Sequence, residues 1–278
     1  MQEFLELLKE LDKKLVSVYF EKLNDDSVIE KTDFVNASGH RSLVIDLLLE
    51  DIIIDFFKEK EFPCIIEAEE KGRTVLAKNP EFLIIADPLD GSNNYRRRIP
   101  LTCYAIAIAK LEKNNAFFND TMIASCRSFH SNEFYYALKG KGAFDEKDNP
   151  INPSKEVKLE RAMVAFDLDR AYRNREDVVS TVFKVLKHCR GTRRFGANIL
   201  DIMYVASGKI EAMIDIREKF SAVHTPALFI CEESGAKIKS FYDTKFNPIL
   251  KANENINFVL CGNQKLMDVV MKKMKGND

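Results

Sequence analysis

The sequence predicts an α/β protein, α+β in its first half and alternating α/β in its second. Three observations carry this. Residues 2–23 and 43–60 place apolar side chains at helical spacing. Strand-length apolar runs then crowd residues 64–138 with turn signals between them, and beyond residue 156 strand and helix patterns alternate. At 278 residues the chain can bury a substantial core, as one large domain or two modest ones. The polar, two-proline stretch 145–156 is the best boundary, dividing an α+β part (1–150) from an α/β part (151–278).

Taken in order, Phe4, Leu5, Leu7, Leu8, Leu11, Leu15 and Tyr19 give the first helix its apolar stripe. Asn24 to Ser27 reads as a break, and 36–42 as a loop feeding a second helix over 43–60. Strand-like runs follow at Cys64-Ile65-Ile66, 82–87, 101–111, 121–126 and 133–138. Their close spacing predicts an antiparallel or mixed sheet carrying the two early helices on one face. The second half reads as strand 162–167, helix 174–189, strand 191–195, helix 197–207 and strand 210–216. Helix 224–234, strands 236–240 and 256–261, and helix 263–274 complete it.

Composition bounds the function. Lysine plus arginine (42) nearly balance aspartate plus glutamate (43), so bulk charge favours neither nucleic acid nor an acidic membrane as partner. Six scattered cysteines without a Cys-x-x-Cys pair suit reduced thiols in a cytoplasmic protein, and four histidines lack metal-ligand spacing. The N-terminus is acidic and amphipathic rather than signal-like, and no apolar run reaches the roughly 18 residues of a membrane span.

The chemistry concentrates between Glu69 and Ser92. The apolar run Phe82 to Ala86 ends in Asp87-Pro88-Leu89-Asp90-Gly91-Ser92, and Glu69-Glu70 ends an earlier strand-like run. Pro88 stiffens the chain, Gly91 permits a sharp turn, and Ser92 is placed to cap a following helix. Each piece alone reads as a turn or a solvated surface. Together they place three or four acids at adjacent strand ends, an arrangement that divalent cations would stabilise. Arg96-Arg97-Arg98 reads either as a solvated loop or as a hold on a second anionic group.

These motifs resemble the magnesium-dependent, lithium-sensitive phosphatases: inositol monophosphatases, archaeal fructose-1,6-bisphosphatases and bisphosphate nucleotidases. Gly196 to Gly208 and Glu233-Ser-Gly-Ala extend the resemblance over nearly the whole chain. It implies a layered αβαβα sandwich and hydrolysis of a sugar or polyol phosphate monoester by metal-activated water. In that family pattern Glu69, Asp87, the Leu89 carbonyl and Asp90 hold magnesium, with manganese as an alternative. Asp46, otherwise simply an acid at a helix start, would orient the attacking water with Glu70 and Ser92. Asp90, Gly91, Ser92 and Asn93 would bind the phosphoryl end. Arg194, Asn198 and Asp215, otherwise charges at element ends, would meet the substrate's hydroxyls. Relatives of this kind are often homodimers.

Two departures stand out. His40-Arg41-Ser42-Leu43 replaces a Thr-Pro-Thr-Lys-like stretch, and Val223 falls where the family has a third metal-binding aspartate. Valine cannot ligate a cation, which leaves Asp87, Asp90, water and phosphate for a second cation, with imidazole from His224 a poor magnesium substitute. The alternatives to a sugar phosphatase are therefore a catalytically impaired relative that binds a ligand or protein, and a nucleotide bisphosphate phosphatase.

Overall fold

The computed structural model describes residues 1–36, 39, 41–169 and 171–276. Helix α1 (Gln2–Lys22) buries Leu5, Leu8, Leu11, Leu15 and Tyr19 along one stripe. A ribbon of β1 (Lys31–Val35) and β2 (Arg41–Leu43) follows, so the stretch read as a loop is partly strand. Three residues are too few to display a period-2 pattern, which is why the sequence hides β2. His40 lies outside the described residues. Helix α2 (Val44–Glu59) comes next, then β3 (Cys64–Ala68), β4 (Gly72–Val75), β5 (Phe82–Asp90), the short α3 (Ser92–Arg96), β6 (Cys103–Lys110), β7 (Thr121–Ser128), β8 (Glu133–Leu138) and β9 (Gly142–Asp145). Strands β4 and β9, unanticipated, are four-residue edge strands that pair antiparallel with β3 and β8.

The second half contains β10 (Met163–Phe166), α4 (Ala171–Asn174), α5 (Glu176–Leu186), β11 (Gly191–Arg193), α6 (Asn198–Ala206) and β12 (Ala212–Ser221). It continues with α7 (Thr225–Glu233), β13 (Lys237–Lys239), β14 (Asn255–Cys261) and α8 (Gln264–Met274). The helix expected over 174–189 runs from Glu176 to Leu186; Arg175 before it, at φ −132° and ψ 59°, lies outside the helical region and separates it from the short α4. The strand expected to stop at 216 runs on to Ser221.

Two sheets result. The first has seven strands in the order β4-β3-β5-β6-β7-β8-β9, with only β3–β5 parallel; the second has five, β11-β10-β12-β14-β13. Side-chain alternation stacks them in layers. Ile84 and Ala86 of β5, with Tyr104, Ile106 and Ile108 of β6, pack under α1 and α2. The opposite faces, Leu83, Ile85, Ala105 and Ala107, meet α6 and α7, which on their far side touch Met213, Phe258 and Leu260 of the second sheet. Val178, Val182, Leu266 and Val270 of α5 and α8 cover that sheet's outer face. The layering is α, β, α, β, α. Helix α7 is apolar over most of its length because it lies between the two sheets and against α6, with Ala227, Leu228, Phe229, Ile230 and Cys231 all buried.

One buried polar cluster fixes α1 to the first sheet. Arg127 on β7 grips Asp12 through Nε and Nη2, each at 2.6 Å, and Tyr104 Oη donates to the same carboxylate at 2.7 Å. At the other end of the layering, the Glu233 carboxylate accepts from the backbone N–H groups of Gly140 and Gly142, tying the end of α7 to the β8–β9 turn.

Candidate active site

Asp87 and Asp90 come together on one side of the sheet because β5 is bulged between them, Asp90 lining the cleft and Asp87 buried beneath it. Asp87 pairs with Ala105 and Asp90 with Cys103, so three steps along β5 match two along β6. Residues three apart on a regular strand face opposite sides; the extra residue resets the alternation. Pro88, which has no N–H to give a ladder, sits inside the bulge. Asp87 Oδ1 accepts from the Leu89 N–H at 3.0 Å, and Asp90 Oδ2 from the Ile199 N–H at 2.5 Å.

Glu69 and Glu70 sit on the β3–β4 turn, held from behind by Glu50 of α2. The buried Glu50 carboxylate accepts from the N–H groups of Glu70 (2.7 Å) and Lys71 (2.8 Å). Burial pushes Glu50 up to about 7 against the pull of those two donors. Glu70 also accepts from Ser42 Oγ of β2. Burial, then Asp87, then Glu70 hold Glu69 well above the usual carboxylate range. Burial and then Asp90 do the same to Asp87. Asp90 is raised by burial, and Glu70 likewise.

Asp46, in the first turn of α2, accepts from the Leu43 N–H at 2.8 Å, closing the helix start. Its other oxygen lies 2.9 Å from Ser92 Oγ, which is also 3.1 Å from the Leu89 carbonyl. Burial first and Glu70 second push Asp46 up to about 7. Ser92 is thus no helix cap: it is the first helical residue, Gly91 precedes it at φ 93°, and the hydroxyl turns back to Asp46. A Cβ on Gly91 would stand 2.8 Å from the Leu101 carbonyl oxygen, so geometry and space both require glycine. Asn94 Nδ2 donates to the carbonyls of Leu101 and Phe195, each at 2.8 Å, locking this turn to the loop before α6.

The facing wall comes from the second half. Asn198 lines the cleft as the first residue of α6, and Asn93 lines it beside Ser92. Asp215 departs from expectation. It lies inside β12 rather than at its end, fully buried, with its two oxygens accepting from Arg217 Nε (3.0 Å) and Nη2 (2.6 Å). It orients Arg217, which also contacts Asp167 at 2.8 Å and lines the cleft. Arg194 is turned aside to Asp167 and Asp169 and does not line the cleft. Of the arginine triplet, Arg98 engages Asp26 and Asn24, and none of the three lines the cleft.

Val223 does not face the site: it is buried in the core between the sheets. The short turn Ala222–His224 directs its neighbour inward instead. Ser221 Oγ accepts from the Val223 N–H, and Thr225 Oγ1 donates to the Ala222 carbonyl at 2.6 Å. His224 Nε2 consequently stands 2.9 Å from Asp87 Oδ2. One donor atom from each of Glu69, Asp87 and His224 lies within 4.8 Å of the others.

Two like charges about 4 Å apart repel by roughly 4 kcal/mol at a surface-like dielectric, so this concentration of acids is costly while fully ionised. Asp87 Oδ2 is buried without a hydrogen-bond partner, which ordinarily costs about 1–3 kcal/mol. Hard oxygen donors, clustered and unsatisfied, fit a magnesium or manganese ion.

The cleft has a volume of about 520 Å³, with an acidic floor and Lys31, Arg41, Arg217 and Lys219 around it. A neighbouring cavity of about 640 Å³ is lined by Glu67, Arg73 and Lys251. It holds no comparable chemistry, because Glu67 is taken up by Arg73 (2.8 Å) and the Ala252 N–H (2.9 Å). The structure therefore gathers Asp46, Glu69, Glu70, Asp87, Leu89, Asp90, Gly91, Ser92, Asn93 and Asn198. It sets Asp215 and Arg194 back, adds Ser42, Glu50, Asp167 and Arg217, and brings in His224, which the sequence offered only as a poor magnesium substitute. Of the additions, Arg217 carried a readable signal: it lies two residues from Asp215, hence on the same face of a strand.

Residues 1–275 match the inositol monophosphatase family. The chain is 28% identical over 250 residues to the fructose-1,6-bisphosphatase/inositol-1-monophosphatase of Methanothermobacter thermautotrophicus, spanning 87% of this chain and 86% of that protein. It is 29% identical over 250 residues to the bifunctional NADP phosphatase/NAD kinase of Methanococcus maripaludis, spanning 84% of this chain and 42% of that protein. A solved Pyrococcus horikoshii structure, described as having similarities to inositol-1 monophosphatase, superposes with a TM-score of 0.81. Its identity is 20% over 98% of both chains, a likeness of fold. Matched from the first helix to the last, the chain belongs to the inositol monophosphatase family.

Proposed function

We propose that this chain hydrolyses a phosphate monoester of a sugar or polyol, of the inositol-1-phosphate or fructose-1,6-bisphosphate type, with magnesium or manganese. The observation that carries the reading is the convergence of Glu69 and Asp90 on one cleft with Asp87 buried beneath it, one Asp87 oxygen making no hydrogen bond despite His224 Nε2 at 2.9 Å. Glu69, Asp87 and the Leu89 carbonyl would hold one cation, and Asp87 with Asp90 a second. When bound, the cations supply Lewis acidity toward the phosphoryl group and neutralise the acids around them.

The rest falls to the chain's own groups. Asp46, whose carboxylate meets Ser92 Oγ at 2.9 Å, would take a proton from an attacking water, and Ser92 Oγ and Glu70 would orient that water. The N–H groups of Gly91 and Ser92 would donate to the phosphoryl oxygens. Asn198 and Arg217 would hold the remainder of the substrate from the facing wall. The two parts of the chain, 1–150 and 151–278, would thus divide the work between chemistry and recognition.

A second substrate class, the nucleotide phosphates, is favoured by the resemblance to the NADP phosphatase relative and by the basic residues around the cleft. The test is phosphate release from inositol-1-phosphate, fructose-1,6-bisphosphate, NADP and a nucleotide 3′,5′-bisphosphate, with magnesium, manganese or chelator. Cation-dependent release from one of the first two supports the proposal. Release confined to the nucleotides favours the second class, and release indifferent to chelator contradicts the mechanism.

A further inference from the structure

We infer that His224 is itself a metal ligand, completing with Glu69 and Asp87 a mixed carboxylate–imidazole site that prefers manganese-type transition dications to magnesium. The inference rests on the reading of Glu69 and Asp87 as cation ligands and adds His224 as the third donor.

The geometry is that of a coordination edge. Adjacent donors of an octahedral ion with bonds of about 2.1 Å stand roughly 3.0 Å apart. His224 Nε2 and Asp87 Oδ2 stand 2.9 Å apart, with a Glu69 oxygen inside the same 4.8 Å cluster. Despite that approach of His224 Nε2, Asp87 Oδ2 has no hydrogen-bond partner. The contact does not satisfy the carboxylate as a hydrogen bond would; a cation between the two atoms would satisfy both. The ring is held for the purpose, edge-on to Phe220 with centroids 4.6 Å apart and its backbone pinned by the Ser221 and Thr225 hydroxyls.

The chemical consequence is selectivity. Imidazole is a borderline-soft ligand that binds manganese, cobalt and zinc better than magnesium, whereas a carboxylate serves all of them. Exchanging an acid for a neutral ring also removes one negative charge from a crowded floor. Magnesium, smaller and reluctant to lose water, loses the more from that exchange. The site therefore keeps its place in the fold and changes its metal.

The test is binding of manganese or magnesium alone to the chelator-stripped full chain, by calorimetry, and pulsed electron paramagnetic resonance of the manganese-loaded protein. The wild type is expected to bind manganese at least roughly tenfold more tightly than magnesium and to show nitrogen coupling from a directly bound imidazole. His224→Asp should abolish the nitrogen coupling and narrow the preference, and His224→Gln should weaken manganese binding roughly tenfold or more. Melting curves in chelator establish that both variants are folded. Manganese bound without nitrogen coupling, and equally by all three proteins, overturns the role of His224 while leaving the carboxylate site intact. No binding of either ion to the wild type overturns both.

Discussion

Replacing Asp46 by asparagine separates what the acidic floor costs the fold from what it does in the cleft. Burial and Glu70 push Asp46 from an ordinary 3.8 up to about 7. At about 1.4 kcal/mol per pH unit, that displacement sets a ceiling of roughly 4 kcal/mol on the cost of ionising it in the metal-free fold. The sign follows from the direction. A folded pKa above the unfolded one means the penalty is absent below about pH 4, builds toward pH 7 and is complete above it.

Asparagine keeps the local bonds: Oδ1 can accept from the Leu43 N–H, and Nδ2 can donate to Ser92 Oγ, whose proton then goes to the Leu89 carbonyl. With half the ceiling realised, about 2 kcal/mol, the variant should melt roughly 4–8 °C above the wild type at pH 8 in chelator. It should show only about a quarter of that gain at pH 4.5, and a smaller gain at pH 8 with millimolar magnesium. Phosphatase turnover should fall by about 100-fold or more. Scanning calorimetry at the two pH values reads the first part. A variant equally stable or less stable than the wild type at pH 8 would refute the electrostatic reasoning.

Three further outcomes follow from the same coordinates. Asp90→Asn should keep the Ile199 N–H bond, raise the melting temperature in chelator, and lower both cation affinity and phosphate release by about 100-fold, read by calorimetry and a phosphate assay. Asp12 does not line the cleft, and Asp12→Asn leaves Arg127 without its bidentate partner. It should cost about 3–5 kcal/mol and lower the melting temperature, while turnover in the folded fraction stays unchanged. Gly91→Ala forces a Cβ against the Leu101 carbonyl at positive φ, and should cut activity while unfolding remains cooperative, as shown by denaturant titration.

Much of the fold was legible because both sheets are covered on both faces. Strands such as β5 and β6 then read as nearly unbroken apolar runs, and the helices between the sheets as apolar over most of their length. What escaped is short or edge-bound: β2, β4 and β9 have three or four residues each, below the length at which a period declares itself. Glu69, Asp87 and Asp90 were legible at strand ends, but the reason Asp87 and Asp90 share a face is the bulge, a property of pairing with β6 rather than of β5 alone. Asp215 looked like a strand end because β12 turns polar at Arg217, Glu218 and Lys219, whereas the strand continues to Ser221. His224 could be named from the sequence only as a neighbour of Val223 and a poor magnesium substitute, because one histidine beside a valine has no spacing to recognise. Only the turn from Ser221 to Thr225 buries the valine and brings the ring to Asp87.

The central claim is that these remote acids meet because cations lie between them. Anomalous diffraction from a crystal of the chain grown in manganese tests it most directly. The account predicts at least one manganese peak at about 2.2 Å from oxygens of Glu69 and Asp87. A cleft free of anomalous signal at millimolar manganese, with Glu69, Asp87 and Asp90 in the positions described, would contradict it.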